Sequence, residues 1–238
     1  MTFSQKLSKI FGADGWHSLA AGVGRLAYPL GWRQFMEPID REGVEKLRAQ
    51  WHTPGERVLP GKYLDVEEWM KTSVKRIRDL RIRQAPPRLR ILDLGCGTGY
   101  FLHVAKCLGH DVLGLDLEVE PVFTGMLALL KIPRIVHAIQ AFQPMPDLGA
   151  PFDLITAHMT CFNRRADGSH WGVEEWEWFV KDAESRLTPA GRLQFDLNIL
   201  PDGRHMADDV REFFLSHGAA IERRRIYLPP RPGHGRAA

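Results

Sequence analysis

The stretch "ILDLGCGTGY", residues 91–100, places Gly95, Gly97 and Gly99 directly after an apolar run and directly before a helical pattern. A buried strand that ends in a glycine turn and continues as a helix belongs to α/β architecture. Glycine adopts positive φ without steric cost and admits a ligand where a Cβ would clash. The spacing here is GxGxG. The dinucleotide fingerprint is GxGxxG, and Tyr100 occupies its last glycine position, which argues against NAD. No GK[ST] follows, so a P-loop is excluded.

The surrounding pattern extends the α/β assignment. "RILDL" (90–94), "DVLGLDL" (111–117), "RIVHAIQ" (134–140), "FDLITAH" (152–158) and "RLQFDLN" (192–198) read as five strands, apolar enough to be covered on both faces. Helical patterns separate them. "YFLHVAKCLGH" has Phe101, Ala105 and Leu108 on one side and Gly109 as its stop. "EPVFTGMLALLK" has Pro121 near its start, and "VEEWEWFVKDAESRL" aligns Val173, Trp176, Phe179 or Val180, Ala183 and Leu187 before "TPAG". A last helix is expected over about 206–217. The fold class is a Rossmann-like, doubly wound, mostly parallel sheet with helices on both faces.

"QAPPR" (84–88) marks a boundary, because paired prolines disfavour helix and cannot donate to a ladder. Residues 1–87 are expected to form a largely helical N-terminal extension or lid, and residues 88–238 the core. At 238 residues the chain can bury one good core. A formal net charge of +3 is too small to imply a nucleic-acid partner. Cys96, Cys107 and Cys161 form no CxxC pair, and the ten histidines include no HExxH, so neither a disulfide nor a metal is expected. Asp14, His17 and Arg25 interrupt the apolar N-terminal stretch, and no run of eighteen apolar residues occurs. A cytoplasmic location without a transmembrane segment is the expectation.

Asp93 sits at the carboxyl end of its strand, just before the turn. A carboxylate there repels a pyrophosphate and attracts an ammonium or a sulfonium. Asp116 ends the next strand, where an acid accepts hydrogen bonds from a ribose diol. A ribose, a cation and no phosphate describe S-adenosylmethionine (SAM). "LDLGCGTGYFL" resembles motif I of the class I SAM-dependent methyltransferases, and "GLDLE" resembles their acidic second-strand motif. "FDLITAHMTCFN" is similar to the fourth-strand motif, and "RLTPAGRLQFDLN" to the fifth-strand region. The four stand in family order from about Leu89 to Asn198.

The resemblance implies that Asp93 and the turn of Gly95, Cys96, Gly97 and Gly99 hold the methionine end of SAM. It puts Asp116 on the ribose and Leu117 beside the adenine, with S-adenosyl-L-homocysteine (SAH) as product. The family often has an acid after the third strand to meet the adenine amino group; that position falls here on Ala141. Gln140 or Gln143 could substitute, and the Phe142 N–H could still meet the ring.

Methyl transfer needs alignment and desolvation, with a base only where the acceptor loses a proton. His158, ending the fourth strand, is the candidate base or acceptor ligand, or else a residue that only lines the SAM pocket. The loop "MTCFNRRADGSHWG" (159–172) offers Asn163, Arg164, Arg165 and Trp171 as acceptor contacts, its arginines either meeting an anionic group or remaining solvated. The expected acceptor is an oxygen or nitrogen of a small molecule or of a glycan- or lipid-linked metabolite. Alternatives are an RNA or protein methyltransferase, or a SAM-binding protein without catalysis, as a monomer or homodimer.

"VEEWMKTSVKRIRDLRIR" (66–83) reads as a helix with Trp69, Val74 or Ser73, Ile77 and Leu80 on one side. Its opposite basic face either meets RNA phosphates or an anionic membrane, or is simply solvated. Trp51, His52 and Tyr63 are candidates to close over the cofactor. The first thirty-six residues either pack on the core or lie on a membrane. "AIERRRIYL" is expected to supply one strand, leaving the C-terminal antiparallel hairpin incomplete, with six strands, a partner-covered edge or a shortened product as the explanations.

Overall fold

A computed structural model describes residues 30–51, 59–118, 120–165, 167–200 and 202–230. His52, the side chain of Trp51, the first twenty-nine residues and residues 231–238 lie outside the described residues, and with them several expectations about lid and termini. The chain enters through a short 3-10 turn, Arg33–Phe35, followed by helices α1 (Arg41–Trp51), α2 (Leu59–Lys62) and α3 (Val66–Asp79). The sheet then alternates with helices: β1 (Arg90–Leu94), α4 (Tyr100–Cys107), β2 (Asp111–Asp116), α5 (Pro121–Leu129), β3 (Arg134–Val136) and β4 (Phe152–Thr160). After these come α6 (Val173–Ser185), β5 (Leu187–Leu197), α7 (Asp208–Ser216), β6 (Ala220–Glu222) and β7 (Arg225–Leu228).

The strand order is β3-β2-β1-β4-β5-β7-β6, with the first five parallel and β7 antiparallel to both neighbours. The order reverses between β1 and β4, the switch point at which open α/β sheets bind ligands. This is the doubly wound fold expected. The C-terminal hairpin, however, is complete. Arg223, with φ 55°, turns the chain within the run of three arginines, so one expected strand is two and the sheet has seven. Strand periodicity cannot show a reversal that an ordinary residue makes in a left-handed conformation.

Alternation along the strands sends residues to two cores. Leu92, Leu94, Ile155, Ala157, Leu193, Phe195 and Leu197 face α6 and α7, where Trp176, Phe179 and Phe214 are almost wholly buried. Burying each such ring stabilises the fold by about 1.5–3 kcal/mol. Ile91 and Leu154 take the opposite face, packed with α3, α4 and α5. The helix α3 starts where expected but ends at Asp79, short of the expected end at residue 83, with Arg81 at φ 54°. It is capped by Asp65, whose carboxylate accepts from the Glu68 N–H, and it buries Val66, Met70, Ser73, Val74 and Ile77.

Helix α1 was not legible in the sequence. Asp40 caps it, accepting from Gly43 N–H, and it docks on α5 through close approaches that only glycines allow. A Cβ on Gly43 would stand 2.5 Å from Leu129, and one on Gly125 2.7 Å from Leu47. The segment before the prolines thus shares one core with the sheet's α3 side.

Candidate active site

At the carboxyl edge of β1, β2, β4 and β5 lies a cavity of about 1130 Å3. Its first wall is the glycine turn. Gly95, Gly97 and Gly99 all take positive φ, at 69°, 54° and 78°. Their roles differ. A Cβ on Gly97 would meet only Phe123, at 3.9 Å, so this position leaves room on the cavity side. A Cβ on Gly99 would stand 2.6 Å from Leu127 Cδ2 and 3.4 Å from Ile132, so Gly99 serves packing against α5 and does not line the cavity. Gly95 and Cys96 both line it, and burial pushes the Cys96 thiol well above its ordinary value.

Asp116 ties the turn together. Its Oδ2 accepts from Gly97 N–H at 2.6 Å and its Oδ1 from Leu117 N–H at 2.7 Å. Burial raises its carboxyl above the ordinary value, against these two bonds. Asp93 is 3% exposed and accepts from Thr156 Oγ1 at 2.7 Å. Burial raises its carboxyl too, and His158, Thr156 and Arg76 only partly offset this. Among the described residues no lysine or arginine forms an ion pair with Asp93.

The polar residues continue in register across the sheet. Asp93 pairs with Thr156, Thr156 with Gln194 and Gln194 with Tyr227; one pleat on, His158 pairs with Asp196 and Asp196 with Arg225. All these side chains share the α3 face. His158 Nδ1 lies 3.5 Å from Asp196 Oδ2, short of hydrogen-bond geometry, and neither ring nitrogen has a hydrogen bond among the described residues. The ring meets Phe101 edge-on at 4.6 Å. Burial pushes the Asp196 carboxyl up, but attraction to His158, Arg225 and Arg76 outweighs this and holds it below the ordinary value. Directly after His158 the ladder to β5 shifts by one residue, and Met159 takes φ 58°. Such a bulge re-aims side chains where a strand ends at a site.

The N-terminal segment closes the opposite wall. Tyr63 stacks on Trp69 at 5.4 Å and meets Phe123 edge-on at 4.9 Å, and all three line the cavity. The Tyr100 hydroxyl donates to the Tyr63 carbonyl at 3.0 Å and fixes that wall to α4.

Several expected site residues stand elsewhere. Leu117 and Arg164 line the cavity, but after β3 its wall is His137, Ala138 and Ile139, not Gln140, Ala141 and Phe142. The strand ends at Val136, four residues before the expected end, so the residues facing the cavity come earlier. Trp171 is a core residue, 5.4 Å from Trp176 and 5.5 Å from Phe179 and Phe162. Arg165 pairs with Glu175, whose other oxygen accepts from Gly172 N–H and closes the start of α6. Asn163 is buried, and its carbonyl accepts from Trp171 N–H. The loop's apolar and charged residues were drawn to the larger aromatic cluster and to the helix terminus.

Asp196, Asn198, Arg76, Arg224 and Arg225 line the cavity and were not expected there. A signal existed for two of them, Asp196 and Asn198. Gln194, Asp196 and Asn198 recur at every second position of an otherwise apolar strand, the mark of one polar face inside a covered sheet.

Residues 66–164 match the family model described as a methyltransferase domain. This span holds the glycine-turn, second-strand and fourth-strand motifs that resemble those of the class I SAM-dependent methyltransferases. The methyltransferase match begins at α3, so the helix before the paired prolines falls within it. No curated protein matches the chain. Solved structures with similarity include DesVI of Streptomyces venezuelae, 16% identical, with TM-score 0.48 over 70% of this chain and 92% of that one. Magnesium protoporphyrin IX methyltransferase of Synechocystis PCC 6803, with bound SAH, is 15% identical, with TM-score 0.47 over 80% and 95%. CalS10, an amino pentose methyltransferase from Micromonospora echinaspora with bound SAM, is 24% identical, with TM-score 0.42 over 64% and 61%.

The basic face of α3 is largely committed. Lys71 pairs with Glu67 and lies over the Trp32 ring, Lys75 pairs with Asp79, and Arg78 donates to the Leu30 carbonyl. Among the described residues no helix is long and apolar enough to cross a membrane.

Proposed function

We propose that this methyltransferase moves a methyl group from SAM to an oxygen or nitrogen of a small molecule, or of a glycan- or lipid-linked metabolite, within the cavity. The observation that carries the proposal is the pairing of a buried carboxylate without an ion pair among the described residues, Asp93, with an open glycine at Gly97 on one cavity wall. A buried carboxylate favours a cationic ligand, and a glycine facing open space admits its backbone. Asp116, already fixed by two N–H groups, retains lone pairs for ribose hydroxyls, and the place of Leu117 and His137–Ile139 on the cavity wall supports an adenine contact there.

SAM, when bound, supplies a methyl group on a sulfonium. The chain supplies orientation, exclusion of water and a place for the acceptor's proton. The Tyr63–Trp69–Phe123 wall covers the cavity with apolar surface, which supports a lid role for the segment before residue 88. His158 has ring nitrogens free to take a proton, and the anionic Asp196 beside it stabilises the imidazolium that results.

Calorimetric titration with SAM tests the donor, with stoichiometric binding expected and about ten-fold weaker binding in Asp116→Ala. Folded protein that takes up no SAM overturns the proposal. Incubation with methyl-labelled SAM and fractionated cell extract tests the acceptor. Label in a small-molecule fraction is expected, and label confined to RNA or protein overturns that part.

A further inference from the structure

Away from the glycine turn, the cavity wall becomes basic. Arg225 is held there twice, with Nη1 2.6 Å from Asp79 Oδ2 and Nε 3.5 Å from Asp196 Oδ1. The first contact ties the β6–β7 hairpin to the last turn of α3. Arg192 Nη2 donates to the Leu80 carbonyl at 2.8 Å and ties β5 to the same helix end. These two clamps fix the positions of two further arginines. Arg76 lies three residues before Asp79 on α3 and so shares its helix face. Arg224 immediately precedes Arg225 in the hairpin turn. Both line the cavity.

Among the described residues neither guanidinium makes a hydrogen bond or an ion pair with a side chain. Burial lowers the Arg76 guanidinium below its ordinary value; Asp93 and Asp196 oppose this, while Arg224 and Arg225 add repulsion. The carboxylates nearby are otherwise engaged. Asp79 serves Arg225 and Lys75, Asp196 serves Arg225 and His158, and Asp93 accepts from Thr156. Two neighbouring cations on a cavity wall, both without a partner, are costly unless an anion joins them. Guanidinium groups match carboxylate and phosphate oxygens in paired hydrogen bonds.

We propose that Arg76 and Arg224 form an anion subsite that binds a carboxylate or phosphate group of the methyl acceptor. Arg224 adjoins the far end of the row His158–Asp196–Arg225, two strands over from His158. The acceptor is therefore an acid or phosphate ester whose reacting oxygen or nitrogen stands about two strand spacings, roughly 10 Å, from its anionic group. The proposal rests on the methyl-transfer function only in naming the anion an acceptor; the subsite itself rests on the arginines.

The test uses inorganic phosphate and glycolate as probes, titrated against the whole protein with and without SAH and followed by thermal protection. Saturable binding of at least one probe is expected, about ten-fold or more weaker in Arg76→Gln and in Arg224→Gln. Arg211→Gln, on the exposed side of α7, is expected to bind as the parent protein does. Phosphate preference assigns a phosphorylated acceptor, and glycolate preference a carboxylic acid. Arg224→Gln lies in a surface turn and keeps the test readable if Arg76→Gln fails to fold. Absence of saturable binding by either probe, or equal binding by the arginine variants, overturns the subsite. SAH affinity is read on the same samples and is expected to be unchanged in both variants. Failure of SAH to bind while the anion binds overturns the cofactor proposal and leaves the subsite standing.

Discussion

His158 and Asp196 are register partners on adjacent parallel strands, and their side chains meet at 3.5 Å on the α3 face of the sheet. The backbone ladder therefore sets their separation, and the shift after His158 ends the ladder there. A rigid pair of this kind lets a buried imidazole accept a proton without leaving an uncompensated charge. Asp196→Asn keeps the shape and removes the charge. We expect kcat for the labelled acceptor to fall about ten- to a hundred-fold, and by a hundred-fold or more in His158→Asn, with SAM still bound. Unchanged kcat in both variants would remove the pair from the chemistry.

The pair also sets an acid dependence of stability. The Asp196 carboxyl is held below its ordinary value, so it stabilises the fold above its unfolded pKa of about 3.9, and that contribution is lost as pH falls through the lower folded value. Thermal melts from neutral pH downward are expected to show a steeper loss below about pH 4 in the parent protein than in Asp196→Asn. Parallel curves would contradict this.

Asp93 and Asp116 shift the other way, raised chiefly by burial. Their charged forms cost stability above the raised folded values, and the cost disappears as pH falls through them toward the unfolded values. Cation binding needs the charged form. SAM affinity measured by calorimetry is therefore expected to weaken as pH falls from neutrality, before the protein unfolds. Affinity that is flat with pH down to the unfolding transition would count against Asp93 as the seat of the cation.

The glycine turn separates ligand access from packing. Gly97→Ala is expected to weaken SAM binding, with a backbone cost of about 1–2 kcal/mol at its positive φ. Gly99→Ala carries a similar backbone cost and also crowds Leu127 and Ile132, so it is expected to lower the melting temperature further while folded protein still binds SAM. Equal effects of the two on SAM affinity would show that the glycines share one role.

The loop after β4 divides in the same way. Trp171→Ala empties part of an aromatic cluster and is expected to destabilise the protein by about 3–5 kcal/mol in chemical denaturation. Arg164→Ala is expected to change stability by no more than about 0.5 kcal/mol. A mild Trp171→Ala would return that residue to the acceptor-facing surface.

The alternation of apolar runs and helices around "ILDLGCGTGY" determined the doubly wound sheet, and the Asp93, glycine-turn and Asp116 series determined one wall of the cavity. These signals are local: each lies in one strand, one turn or one spacing, and backbone sterics reads them directly. Tertiary structure decided the rest. The reversal at Arg223 made a hairpin of what reads as one strand, and thereby carried Arg224 and Arg225 over the cavity. Trp171 went to the core because Trp176 and Phe179 offered apolar contact, and Arg165 to Glu175 because the start of α6 needed closing. His158 is visible in the sequence as a histidine at a strand end, but its partner is thirty-eight residues away. Only the register of β4 on β5 brings the two together, since pairing between strands is fixed by packing and ladder hydrogen bonds that no single segment contains.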